Sequence, residues 1–245
     1  MSYLWSLLAK APLIFAATVI MGTLSVVVSF ADPSGRRQHA VARAWARMLL
    51  VLGGVRVRIE GLNRLDTRQH YVFAGNHLSL YDTPVVLASI PFQFLFLVAA
   101  RYVKLPFLGT HLRRSGHFPV DSDDMRGSLK VMTAAAKRIE ERGLSVLLFP
   151  EGRRSGDGLM QEFKEGAAYI AIKAQAPVVP FALRGTREVL PVGGIHIRGG
   201  PVDFIVGQPI ETKGMTLKDR ERLTALVRER VTQLLEDRLA ERIPA

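Results

Sequence analysis

Hydrophobic and polar positions follow no rhythm at the start of the chain. Ala11 to Ala31 is a run of 21 uncharged residues, and Lys10 is the only charge among the first 31 positions. About 20 apolar residues span a bilayer core, so the run predicts a membrane segment. A signal peptide carries its positive charge near the start, whereas nine uncharged residues come first here, so the segment is expected to be retained. Asp32-Pro33-Ser34-Gly35 then turns the chain. His39 to Leu52 takes up a helical rhythm, with Arg36, Arg37, Arg43 and Arg47 interleaved with Ala42, Trp45, Leu49 and Leu50. Such a composition fits either an interfacial helix on an anionic leaflet or an amphipathic helix packed on the rest of the protein. Arginines after the apolar run place that side in the cytoplasm.

From Gly53 the rhythm alternates. Short β-rich runs cover Val55 to Ile59, Tyr71 to Ala74, Phe94 to Ala99, His117 to Val120, Ser145 to Phe149, Val178 to Leu183 and Val202 to Val206. Val85 to Ile90 reads as a helix, Leu129, Met132, Ala136 and Ile139 recur at helical spacing, and so do Phe163, Ala167, Ile170 and Ala174. A last helix is predicted from about Leu217, with Thr216 and Asp219 as a capping pair. Its buried stripe would be Leu223, Leu226, Val227, Leu234 and Leu235. The alternation predicts an α/β domain, a central sheet flanked by helices, over residues 53–245. Residues 1–52 form a membrane-associated helical pair in front of it.

Charge narrows the partners. Lys and Arg number 33 against 22 Asp and Glu, a formal net charge of +11. That balance points to an acidic partner: anionic lipid headgroups, a phosphorylated substrate or nucleic acid. Nucleic acid is the weakest of these, because the charges are scattered among apolar runs and no reader motif appears. The chain has no cysteine, which removes disulfides, a thiolate nucleophile and Cys-based metal sites.

Among candidate catalytic groups the pair His77 and Asp82, in Asn76-His77-Leu78-Ser79-Leu80-Tyr81-Asp82, stands out by its setting. It lies between the run ending at Ala74 and the helix that begins near Val85, and strand-to-helix connections carry the chemistry of many α/β domains. Asp82 ahead of Thr83-Pro84 is also a plausible helix cap. On an ideal helix five residues turn through about 500°, leaving the two side chains about 140° apart. They can meet only if His77 lies on the loop before the helix. No Gly-x-Ser-x-Gly elbow, phosphate-binding loop, Rossmann fingerprint or His-Glu-x-x-His is present. Zinc on His77 and Asp82 would need a distant third ligand. With no activated serine or cysteine, a base that deprotonates an incoming hydroxyl for direct attack fits what remains. The segment Phe149-Pro150-Glu151-Gly152-Arg153-Arg154-Ser155-Gly156-Asp157-Gly158 follows an apolar strand. Its glycines and paired guanidiniums suit an anion site, although a basic surface loop has the same composition.

Four segments occur in the order and spacing of the blocks of the glycerolipid acyltransferases, the His-x4-Asp family. They are Asn76-His77-x4-Asp82, Ser115 to Asp121, Phe149-Pro150-Glu151-Gly152-x-Arg154-Ser155 and Val178-Val179-Pro180. Lys104-Leu105-Pro106-Phe107-Leu108-Gly109 and Phe163-Lys164-Glu165-Gly166 resemble further family segments, so the resemblance runs from roughly Val55 to Leu183. It implies a mixed central sheet flanked by helices and, without metal or bound cofactor, transfer of a fatty acyl group to a lysolipid hydroxyl. The donor would be an acyl-CoA or acyl-carrier-protein thioester, the acceptor lysophosphatidate and the product phosphatidic acid, at the bilayer surface. His77 would be the general base and Asp82 the group that orients it. Asn76, Lys104, Glu151, Gly152, Arg153, Arg154 and Ser155 would serve the acceptor, and Val179 and Pro180 would be associated with the acyl site unless they are simply a buried strand.

Two positions depart from the family pattern. Asp121 is followed by Ser122 where an arginine is usual, and Arg153 stands where a threonine is usual. Arg153 or Arg126 is a candidate for the displaced charge. Otherwise another lysolipid, such as lyso-ornithine lipid, becomes the acceptor. A non-catalytic anionic-lipid-binding protein and a hydrolase using water are the readings from other classes.

Overall fold

A computed structural model describes residues 6–121 and 123–240. All seven β-rich runs form strands: β1 (Val55–Glu60), β2 (Val72–Gly75), β3 (Phe94–Ala99), β4 (Phe118–Val120), β5 (Ser145–Leu148), β6 (Val178–Arg184) and β7 (Gly200–Val206). They make one sheet in the order β1-β7-β6-β2-β5-β3-β4. The five strands from β6 to β4 are mutually parallel. β7 runs antiparallel to β6, and β1 follows β7, so the sheet is mixed.

Successive strand residues face opposite sides, and the central strands are apolar on both, as expected when helices cover both faces. On one side Phe73, Phe94, Leu147, Val179, Phe181 and Phe204 share a core with α3 (Asp82–Ser89). The other side packs Val72, Ala74, Val146 and Val178 against α5 (Met125–Arg142), α6 (Gly166–Ala174) and α8 (Arg220–Ala240), while the short α7 (Thr186–Val189) follows β6. Asp124 caps α5 through the Gly127 N–H at 2.9 Å, and Thr216 and Asp219 form the expected capping box ahead of α8. Phe163, expected within α6, lies on the segment before it and packs against this second core. In α8 the buried residues are Leu223, Val227 and Val231, with Leu234 and Leu235 partly buried beyond them.

The N-terminal pair is α1 (Ala11–Ser29), preceded by a π-helical turn over Ser6–Lys10, and α2 (Arg36–Gly53). The apolar side of α2 is not left for lipid. Ala46 and Leu50 are in the first core, with Ala42 and Trp45 packed against it. The choice left open for this helix therefore falls to packing on the protein. The change from helices to sheet falls between Gly53, the last residue of α2, and Val55, the first of β1.

α1 is inverted relative to a soluble amphipathic helix. Its buried positions are Ala17, Ser25 and Ser29, while Leu13, Phe15, Ile20, Leu24 and Val27 are exposed. Inward polar groups tie it down along its whole length. Lys10 Nζ donates to the Gly53 carbonyl at 2.8 Å, Thr18 Oγ1 accepts from Trp45 at 3.1 Å, and Ser25 Oγ meets His111 Nδ1 at 2.6 Å. Ser29 Oγ accepts from Arg114. Leu8–Ser29, at 22 residues, is the one stretch among the described residues long and apolar enough to cross a membrane.

Three histidines gather where this pair meets the sheet: His39 of α2, His111 of α4 (Leu108–Arg114) and His117 before β4. The rings of His111 and His117 are 5.6 Å apart, His39 meets Phe94 edge-on, and His117 Nδ1 accepts the Phe96 N–H at 2.9 Å. Loss of hydration holds them neutral, lowering His39 and His111 to about 4 and His117 to about 3 from the ordinary 6.5. The unfolded chain therefore binds protons that the fold refuses. The stabilisation is complete above pH 6.5 and is lost as pH falls toward 4, at about 1.4 kcal/mol per pH unit for each histidine. Unfolding free energy measured at a series of pH values is expected to fall steeply between pH 6.5 and 5, before carboxylates titrate. A flat profile there would contradict neutral burial.

Candidate active site

β2 ends at Gly75, and residues 76–81 form an irregular connection before α3. His77 is thus on the loop, the condition set by helical geometry, and Nδ1 lies 2.7 Å from Asp82 Oδ2. Asp82 is fully buried in the first turn of α3 but makes no cap to that helix. Its Oδ2 turns back to accept the N–H groups of Leu78 at 2.6 Å and Ser79 at 2.8 Å as well as the imidazole. With Nδ1 engaged, Nε2 is the nitrogen left to exchange a proton. The side chain keeps 19% of its surface exposed.

Segment 149–155 grips His77 from the other side. Glu151 Oε1 accepts the His77 N–H at 2.6 Å, and the Ser155 N–H donates to the His77 carbonyl at 2.9 Å. The Phe149 ring stacks on the imidazole, centroids 4.0 Å apart and nearly parallel at 9°. Main chain and ring are therefore both fixed. Among the described residues no hydroxyl hydrogen-bonds the imidazole. Ser79 Oγ donates to the Leu190 carbonyl at 2.6 Å and Ser155 Oγ to Asp157 at 2.7 Å. That arrangement suits a base acting directly on a bound molecule, with no serine relay.

The other expected site residues divide into two groups. Glu151, Asn76 and Ser155 are buried supports. Besides His77, Glu151 accepts the Gln161 N–H at 2.8 Å, and burial pushes its carboxyl above the usual carboxylate range even though both N–H donors pull it down. Asn76 exchanges two hydrogen bonds with the Leu183 main chain, at 2.9 and 2.8 Å. Both side chains direct their hydrogen bonds to the protein's own main chain. Gly152, at φ 70°, closes a turn by donating to the Phe149 carbonyl at 3.0 Å, so its amide is also spoken for. Val179 is in the core and Pro180 is buried in mid-strand, its Cγ where a side chain on Gly207 would sit. They are strand residues, and neither is brought to the imidazole.

Arg153, Lys104 and Arg126 are exposed and Arg154 half-buried. Arg153, Arg154, Ser155, Gly156, Asp157 and Gln161 line a depression of about 260 Å³, a basic recess beside the clamp. Ser122 lies outside the described residues. Phe149, Ser79 and Gln161 were not foreseen as site residues. The signal for Phe149 was its place directly before Pro150-Glu151, but a stacking role has no mark of its own in sequence. Among the described residues no three His, Asp or Glu side chains assemble into a metal-binding group.

A family model described as acyltransferase matches residues 56–184. The 1-acyl-sn-glycerol-3-phosphate acyltransferase of Limnanthes alba is 28% identical over 170 residues, 69% of this chain and 60% of that protein. The chloroplastic LPAT1 of Arabidopsis thaliana, of the same name, is 32% identical over 182 residues, 73% of this chain and 50% of that one. The Haemophilus influenzae protein of that name is 28% identical over 206 residues, covering 83% and 82%. The chain thus spans 50 to 60% of the length of the plant relatives it matches. The solved structure of PlsC, a 1-acyl-sn-glycerophosphate acyltransferase from Thermotoga maritima, superposes with a TM-score of 0.81 over 100% of both chains at 23% identity, so the fold is shared.

Replacing Glu151 by Ala removes the acceptor for two backbone N–H groups, at about 1–3 kcal/mol for each one left unpaired. Glu151→Ala is expected to lower the melting temperature and to speed hydrogen exchange at the His77 amide. Glu151→Gln, which can still accept one of the two, should fall between. Unchanged stability and exchange in Glu151→Ala would show that the clamp is not the role of this carboxylate.

Proposed function

The chain belongs to the acyltransferase family, and from that premise we propose that it transfers a fatty acyl group from an acyl-CoA or acyl-carrier-protein thioester to the sn-2 hydroxyl of 1-acylglycerol-3-phosphate, giving phosphatidate. The observation that carries the reading is His77, held through Nδ1 by buried Asp82 and stacked on Phe149, with no hydrogen bond to Nε2 among the described residues. Nε2 takes the proton from the acceptor hydroxyl as its oxygen attacks the thioester carbonyl. The C–S bond then breaks, and the imidazolium returns the proton to the departing sulfur. Asp82 keeps the proton on Nδ1 in the resting state and stabilises the imidazolium. No metal or bound cofactor enters this scheme. A positioned base contributes about 10²- to 10⁴-fold, so orientation of the two substrates supplies much of the remainder.

Exposed Arg153, Lys104 and Arg126, with half-buried Arg154, are the groups free to meet the acceptor phosphate. The departure at Ser122 favours a second reading, in which the acceptor is another lysolipid such as lyso-ornithine lipid. Both acceptors are membrane lipids. α1 touches the body of the protein from Lys10 to Ser29, so it cannot cross a bilayer while the domain stays outside. It rests instead in the leaflet on which the domain sits, and the arginines that follow it favour the cytoplasmic face.

His77→Ala should remain folded and lose acyl transfer by at least about 10²-fold, with Asp82→Asn also impaired. Retained full activity in His77→Ala would refute the mechanism. Thioester release is expected only with a lysolipid present, because release without an acceptor would mark a hydrolase. A panel of lysolipids with one acyl-CoA identifies the acceptor, and Arg153→Thr should raise KM for lysophosphatidate if that arginine replaces the missing charge.

A further inference from the structure

The turn after β3 clusters exposed apolar side chains. The 3-10 turn Ala100–Lys104 leads into Leu105, Pro106, Phe107 and the start of α4 at Leu108. Leu105, Phe107 and Leu108 are 46%, 47% and 38% exposed, three large hydrophobic residues within four positions. The fold goes to some expense to hold them there. Phe107 sits at φ 59°, a region that a bulky residue rarely adopts and that persists only where the surroundings impose it. Here the surroundings do impose it. Gly109 N–H donates to the Leu105 carbonyl at 2.8 Å, and Arg113 Nη1 donates to the Val103 carbonyl at 2.6 Å. A Cβ on Gly109 would run into that same Val103 carbonyl oxygen, so only glycine lets the turn close this tightly.

The turn abuts α1. Phe107 Cβ would be 3.5 Å from a Cβ at Gly22, between the exposed Ile20 and Leu24. The turn and the outward side of α1 therefore make one continuous apolar surface. Arg101 and Lys104, both exposed, lie immediately before the turn, and the chain as a whole is basic. Apolar side chains with cations beside them match a leaflet of anionic phospholipid: acyl chains for the first, headgroups for the second.

We infer that the Leu105–Leu108 turn is a second bilayer-inserting element, which enters the same leaflet as α1 and fixes the tilt of the domain on it. One helix lying in a leaflet leaves the body free to roll about its axis. A second insertion point beside it removes that freedom. β3 is parallel to β2 by way of β5, so the turn leaves the sheet at the same edge as the His77 loop. Fixing the roll thus fixes where the catalytic edge stands relative to the lipid. The inference rests on the membrane attachment through α1 proposed above.

Because the chain has no cysteine, single labels are unambiguous. The full chain carrying Leu105→Cys, Phe107→Cys or Leu108→Cys, each labelled with an environment-sensitive fluorophore, is mixed with phosphatidylethanolamine–phosphatidylglycerol vesicles. Some vesicles contain lipids with a nitroxide on the acyl chain. Leu13→Cys reports on α1, and Leu217→Cys, before α8, serves as the solvent control. Labels at the turn are expected to shift to the blue and to be quenched about as strongly as at Leu13, while Leu217 is unaffected. Three turn positions guard against a relaxed backbone at Phe107. Quenching at Leu13 with solvent-like signals at all three turn positions overturns the inference and leaves α1 as the anchor. No quenching at Leu13 overturns both. A blue shift that precedes vesicle addition and grows with protein concentration would assign the surface to a second copy of the chain and also overturn the inference.

Discussion

One carboxylate oxygen organises the His77 loop. Asp82 Oδ2 receives three donors at once: the His77 imidazole and the main-chain N–H groups of Leu78 and Ser79. The loop must fold back over the start of α3 for these donors to converge, and that fold lifts His77 off the helix. Burial of a carboxylate is costly unless it is hydrogen-bonded or paired, so the three bonds and the loop shape require one another. The rest of the site follows from this convergence. With the imidazole directed at Asp82, its face is open to Phe149, and its main chain lies within reach of Glu151 and Ser155.

The fold was readable because burial on both sheet faces leaves apolar runs that polar turns interrupt. All seven strands appear where those runs fall, and the capping box at Thr216 marks the last helix. What failed was local. Phe163 keeps helical spacing with Ala167, but Lys164 is drawn off to hydrogen-bond the Pro150 carbonyl, so the helix waits until Gly166. For α2, composition left two surfaces open to its apolar side, lipid or protein, and tertiary packing decided between them.

The site was readable to a lesser depth. The loop position made a contact between His77 and Asp82 possible, and the family resemblance paired them. The division of labour in the later block could not, because side-chain chemistry does not record the direction of a main-chain N–H. A glutamate beside arginines reads as ligand chemistry, yet Glu151 spends both oxygens on backbone groups, and Asn76 spends its whole amide on Leu183. Buried polar residues of this kind set geometry, while Arg153 nearby stays exposed and Arg154 half-buried.

α1 and the His77 loop also share a support. Ser79 Oγ, inside the His77 loop, donates to the Leu190 carbonyl, and a few residues on Ile197 is held by Ser6 and by Lys10 at the head of α1. Segment 190–197 therefore touches both the His77 loop and the helix whose apolar side faces outward. A lipid hydroxyl is confined to a narrow layer at the leaflet surface, and misplacement by about 1 Å can cost 10²-fold in rate. An enzyme acting on such a hydroxyl needs its base at a set height above that layer. The His77 loop and the head of α1 are both hydrogen-bonded to segment 190–197, so if His77 is that base, the shared segment would couple its height to the helix.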